Sequence, residues 1–188
     1  NISSILCGLI YGWTSSIIPI FQQENNEAGI EPLTNDQFSW VVSAQIIGSL
    51  IILPFAGFFS EQFGRKAIAL CMTIPMLASW IIILLATNFY HILISQLLNG
   101  TFDGLSSICV PIYVTESVSD SIRGQLGSYF QLIVQLGNLA GYILSSLISY
   151  KTYTIIALVM SIVYSIGILF IPETPVYLIR KNRIEDAR

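Results

Sequence analysis

Six hydrogen-bonding side chains, Ser128, Gln131, Gln135, Asn138, Tyr142 and Ser145, follow one another at intervals of 3, 4, 3, 4 and 3 inside the uncharged segment 124–147. On an α-helix that spacing makes one stripe. A side-chain amide turned toward acyl chains is costly, so the stripe must face protein or a water-filled cavity. Two glutamines and an asparagine offer donors and acceptors together, which suits them to hold a neutral polyhydroxylated solute. The plainer alternative is hydrogen bonding between helices that glues a bundle. Six such groups in register favour the cavity.

Two further stripes have the same character. Gln96, Asn99, Asp103 and Ser106 are spaced 3, 4 and 3, and so are Ser4, Cys7, Tyr11 and Thr14. Three helices with wet faces predict a shared aqueous path, with Thr14, Gln96, Asn99 and Asp103 among its binding groups beside Gln131, Gln135 and Asn138. Asp103 is the only acidic residue deep in an apolar stretch, and a carboxylate there is a functional candidate by default. No Lys, Arg or His lies in such a stretch to pair with it. The alternative role for it is structural, satisfied by hydroxyls or amides of a neighbouring helix.

The elements that must carry these stripes are membrane spans. Of 188 residues, 54% are hydrophobic and 10% charged, against roughly 25% charged in soluble domains. Runs of about 20 apolar residues fit transmembrane helices near Ile2–Phe21, Phe38–Phe59, Ala67–Thr87, Ile92–Val114, Gly124–Leu147 and Ile155–Ile171. Residues 1–171 are thus expected to form a six-span bundle in a lipid bilayer. Seven of the eight basic residues fall at one side of it, Lys151 being the exception. The positive-inside rule makes that side cytoplasmic, with both ends of the chain there and the acidic first loop outside. Trp40, Tyr90, Tyr150 and Tyr153 are expected in an outer aromatic belt. Pro54, Pro75 and Pro111 should bend their spans, while Gly8/Gly12 and Gly137/Gly141 should permit close helix packing.

Several functions are excluded or receive no support. There is no basic patch for nucleic acid, no catalytic constellation, and no call for a cofactor or metal. Cys7, Cys71 and Cys109 are odd in number and unclustered, which indicates neither disulfides nor a metal site. The chain does not begin with methionine and opens almost at once on a span, so it reads as a piece of a longer protein.

The loops carry motifs. Gly57-Phe58-Phe59-Ser60-Glu61-Gln62-Phe63-Gly64-Arg65-Lys66 resembles the G-x-x-x-[DE]-x-x-G-R-[KR] loop of the major facilitator superfamily. Pro111-Ile112-Tyr113-Val114-Thr115-Glu116, followed by Arg123-Gly124, resembles the P-x-Y-x-x-E and R-G signature of its sugar porters. Pro172-Glu173-Thr174-Pro175-Val176-Tyr177-Leu178 is similar to their P-E-[ST]-P-x-[WYF]-L motif, and Gln131 to the glutamine of their fifth helix. Four motifs in order cover most of the chain. The resemblance implies an all-α integral membrane fold, the N-terminal half of a twelve-helix transporter. Residues 172–188 would begin cytoplasmic linker helices, and a C-terminal six-helix half would be missing. It further implies a small-molecule sugar as the partner, the plasma membrane as the location, and a cytoplasmic gate built from Glu61, Gly64, Arg65, Lys66, Glu116, Arg123 and Glu173.

Departures from the pattern are informative. Proton-coupled sugar porters usually carry an acidic residue in the first helix after a Gly-aromatic pair, and Gly-Arg in the fourth. Here Gly12-Trp13 is followed by Thr14, and Ser95-Gln96 stands in place of Gly-Arg. That favours facilitated uniport of a sugar such as glucose or trehalose by alternating access. A proton-coupled symporter using Asp103, a non-transporting sugar sensor and a truncated fragment are the alternatives.

Overall fold

The computed structural model describes residues 2–23, 26, 29–117, 120–171, 173, 174 and 177. Side chains are described for all of these except 17–19, 117, 120–123 and 126. Among the described residues the chain forms seven α-helices: α1 (Ile2–Ile17), α2 (Asn35–Phe63), α3 (Arg65–Cys71), α4 (Thr73–Leu84), α5 (Phe89–Ser117), α6 (Asp120–Leu147) and α7 (Tyr150–Phe170). A short 3-10 turn, Ile18–Gln22, follows α1. Glu24, Glu27, the Arg123 side chain and nearly all of the expected linker 172–188 lie outside the described residues.

Several helix ends have a local cause. Thr34 begins α2 with a capping box: the Gln37 amide donates to Thr34 Oγ1 over 3.3 Å, and the Thr34 amide to Gln37 Oε1 over 3.0 Å. Gly64 ends α2 at φ +94°. The third span runs through α3 and α4 with a break at Met72. Pro75, in the first turn of α4, has no N–H to give the Cys71 carbonyl, which is where α3 stops. Ser149 caps α7 by accepting from the Thr152 amide.

Five helical segments, Ile2–Gln22, Asn35–Phe63, Arg65–Leu84, Gly127–Leu147 and Tyr150–Phe170, are long and apolar enough to cross a membrane. The sixth expected span, α5, is 29 residues long but more polar. Its Ser95, Gln96, Asn99 and Ser106 are buried among the other helices, so its mean hydropathy understates how well it suits the bundle.

The helices associate mainly as two tight pairs, α1 with α6 and α2 with α5, and α4 packs on α5 and α7. Glycine makes both pairs possible. A Cβ added at Gly8 would stand 2.2 Å from the Val134 carbonyl oxygen, and one at Gly12 2.7 Å from Gly141 Cα. The expected close packing of Gly8/Gly12 on Gly137/Gly141 is therefore backbone against backbone. A second glycine contact was not anticipated. Cβ atoms at Gly48 and Gly100 would meet the Leu97 and Gln45 carbonyl oxygens at 2.2 and 2.0 Å.

The aromatic belt needs correcting. Trp40 and Tyr90 are exposed, but Tyr150 and Tyr153 are only 3% and 2% exposed. Their hydroxyls brace helices from within, Tyr150 donating to the Ile83 carbonyl and Tyr153 to that of Leu9 over 2.8 Å. A buried phenol needs such a partner. Trp13, Phe21, Trp80 and Tyr150 stack edge to face or tilted, with centroids 5.2 to 6.3 Å apart. They close the bundle at the end bearing the first loop.

Candidate functional site: a polar cavity and an ionic clamp

Three of the six members of the α6 stripe line a cavity, while Ser128, Tyr142 and Ser145 do not; the Ser128 and Ser145 hydroxyls donate to carbonyls of their own helix. Gln131, Gln135 and Asn138 form one wall with Phe130 and Val134, and Tyr11, Ser15, Asp103 and Ser107 from α1 and α5 line the rest of a half-open space of about 370 Å³. The 3.6-residue period puts the three amides on one side of α6, and the glycine contact of α6 with α1 brings Tyr11 and Ser15 beside them. Gln131 and Gln135 are exposed to this space, while Asn138 is half-buried with its Oδ1 unpartnered. Such an orphan acceptor is a costly feature unless water or a ligand reaches it.

Asp103 faces the same space. The Tyr11 hydroxyl donates to its Oδ2 over 2.6 Å, linking α1 to α5. The Cys7 thiol is within reach of the carboxylate from the buried side. Among the described residues no Lys, Arg or His lines the cavity.

Thr14, Gln96 and Asn99 sit elsewhere. They are 6%, 0% and 0% exposed and do not line the cavity. Gln96 Nε2 donates to Thr14 Oγ1 over 3.0 Å, and Thr14 is also in reach of Gln45 Oε1 at 3.3 Å and the Ile10 carbonyl at 2.9 Å. Asn99 accepts from the Ser79 hydroxyl. These three polar groups join α1, α2, α4 and α5 through neutral hydrogen bonds. Gln45 and Ser79, their partners, were not singled out from sequence. Neither belongs to a polar stripe, and only the packing shows what they meet. Ser15 and Ser107 were also missed, although each lies four residues beyond a stripe member, Tyr11 and Asp103, and so shares its face.

At the end bearing α3, the expected gate residues Gly64, Arg65, Lys66, Glu116 and Glu173 converge. Arg65 forks onto Glu116, Nη2 to Oε1 at 2.7 Å and Nε to Oε2 at 3.0 Å, while its Nη1 donates to the Ser60 carbonyl over 2.8 Å. Bidentate geometry of this kind makes strong, oriented pairs. Glu173 caps α3: its Oε1 accepts from the Arg65 and Lys66 amides at 2.9 and 3.1 Å. A carboxylate is favoured there because helix N-termini present unpaired N–H groups and positive potential. Gly64 permits the arrangement twice over. Its φ of +94° disfavours other residues, and a Cβ would come within 2.6 Å of Glu173 Oε2. Lys66 Nζ donates to the Leu169 carbonyl over 2.9 Å, and the Tyr177 hydroxyl to the Gln62 carbonyl over 3.2 Å. Glu61 is exposed and stands outside this cluster, with no hydrogen bond to a described residue. The Arg123 side chain lies outside the described residues.

The family described as "Sugar (and other) transporter" matches residues 1–188, the whole chain. The chain belongs to that family. It is 29% identical over its full length to the facilitated trehalose transporter Tret1 of Apis mellifera ligustica, of which it covers 37%. It is 28% identical to the galactose-proton symporter of Escherichia coli K12 over 97% of this chain and 40% of that protein. The chain thus spans about two fifths of the length of these relatives. Among solved structures, the partially occluded inward-open xylose transporter XylE from E. coli superimposes with a TM-score of 0.79 at 18% identity. That match covers 98% of this chain and 52% of that one. The chain is an integral membrane protein with the all-helical fold of about half a major facilitator transporter.

Proposed function

We propose that the complete protein moves a sugar by facilitated uniport and alternating access, with the cavity between α1, α5 and α6 as this chain's share of the binding site. The observation that carries the reading is the cavity wall of Gln131, Gln135 and Asn138. Its amides supply directional donors and acceptors to hydroxyls. A second six-helix bundle would form the opposite wall, as alternating access by two rocking bundles requires.

The buried Gln96–Thr14 hydrogen bond favours uniport over proton coupling. Neither group titrates, and by resemblance these are the positions of the arginine and carboxylate in proton-coupled porters. The clamp of Arg65, Glu116 and Glu173 would latch the bundle at its basic end. The positive-inside rule assigns that end to the cytoplasm and the plasma membrane is the expected location. The test is counterflow of labelled glucose or trehalose in proteoliposomes holding the complete protein. Saturable, stereospecific flux without a proton gradient is expected. Flux that is neither saturable nor stereospecific would leave the cavity without a sugar to bind.

A further inference from the structure

Asp103 places a carboxylate among amides that a neutral sugar would not need it to join. Its one described N–H or O–H donor is Tyr11, at Oδ2, and the cavity it faces is lined by no described cation. Membrane interiors penalise an uncompensated charge heavily, so an aspartate kept there is normally matched by a countercharge. The groups across the cavity, Gln131, Gln135 and Asn138, are uncharged and suited to hydroxyls. The complementary solute therefore carries hydroxyls along most of its edge and a positive charge at one corner.

We infer that Asp103 is a subsite for an ammonium group, and that the carrier takes hexoses bearing a protonated amine in preference to neutral hexoses. The inference rests on the reading of this cavity as a sugar site and adds the charge of the substrate to it. Tyr11 has a positioning role. By occupying Oδ2 it fixes the carboxylate plane on the side that faces the cavity. A hydrogen bond between an ammonium and a carboxylate is shorter and roughly twice as strong as one between neutral groups.

The experiment uses cells expressing the complete coding sequence, with glucosamine, glucose and N-acetylglucosamine as probes. Glucosamine carries the amine, and its N-acetyl derivative has the same hydroxyls without the charge. In the unmodified protein, glucosamine should compete with labelled glucose about tenfold better than either neutral sugar, the size expected when a charged hydrogen bond replaces a neutral one. Asp103→Asn should shrink the ratio of glucosamine to glucose uptake by about the same factor, whatever happens to the absolute rates. Equal competition by all three sugars in the unmodified protein would overturn the inference while leaving sugar transport intact, and it needs no variant to fold. Accumulation of neutral glucose on a proton gradient, abolished in Asp103→Asn, would also overturn it, because the countercharge would then be a proton. No saturable flux of any of the three would remove the sugar-site reading along with it.

Discussion

Gln96 Nε2 reaches across from α5 to donate to Thr14 Oγ1 on α1 over 3.0 Å. Both side chains are buried, and neither gains or loses a proton in the physiological range. The bond ties together two helices that otherwise touch lightly.

Transport by the complete protein should therefore continue unchanged when the proton gradient is collapsed. Sugar should equilibrate and not concentrate. Uptake measured with and without an uncoupler checks this, and concentrative uptake that the uncoupler abolishes would contradict it.

Gln131→Ala should lower apparent sugar affinity several-fold at normal surface abundance. A hydrogen bond to a ligand hydroxyl is worth about 0.5–1.5 kcal/mol net, and more where its loss strands a partner. Uptake kinetics normalised to surface protein give the answer. An unchanged KM would make Gln131 a spectator at the cavity edge.

Gly64→Ala should destabilise the protein by roughly 1–3 kcal/mol, the usual cost of a residue forced into sparsely populated backbone space. The new methyl group would also push Glu173 off the α3 N-terminus, given the 2.6 Å approach. Thermal unfolding in detergent should show a lowered midpoint, and Glu173→Gln should reproduce part of it by weakening the cap.

Gly8→Ala should cost about 1–3 kcal/mol by overpacking, because the added carbon would meet the Val134 carbonyl at 2.2 Å. Gly57→Ala, at a position with open space around it, is the matched control. Fluorescence-detected size exclusion of the two variants distinguishes them, the first losing monodisperse protein and the second retaining it.

The bundle was largely legible in the sequence because lipid imposes a simple rule: each span must satisfy its own backbone, and polar side chains must turn inward. The α6 stripe shows how far periodicity reaches, since Gln131, Gln135 and Asn138 do share one cavity while Ser128, Tyr142 and Ser145 do not line it. The same logic read Thr14, Gln96 and Asn99 as cavity groups, although the structure buries them against Gln45 and Ser79. A period identifies which face a residue occupies. It does not say whether that face meets water or another helix. Tyr150 and Tyr153 illustrate the same gap, since aromatic type and sequence position match a belt while their hydroxyls reach carbonyls inside the bundle. Convergence of Arg65 with Glu116 and Glu173 was legible as a gate through the resemblance, and from the residues themselves only as charges on one side.

The two glycine-zipped pairs divide the bundle along a seam. Within each pair, carbonyls and Cα atoms touch, so sliding one helix along its mate would collide main chain with main chain. Between α1 and α5 the links are instead side chains, Gln96 to Thr14, worth about 1 kcal/mol, and Tyr11 to the Asp103 carboxylate, worth about 1.5–3 kcal/mol. The seam is accordingly the soft direction of the molecule, crossed by side-chain hydrogen bonds, Thr14 to Gln45 among them, where each pair's own interface is main chain against main chain. Because the cavity straddles it, with α1 and α6 on one bank and α5 on the other, a solute bound there would span both banks and act as a rivet.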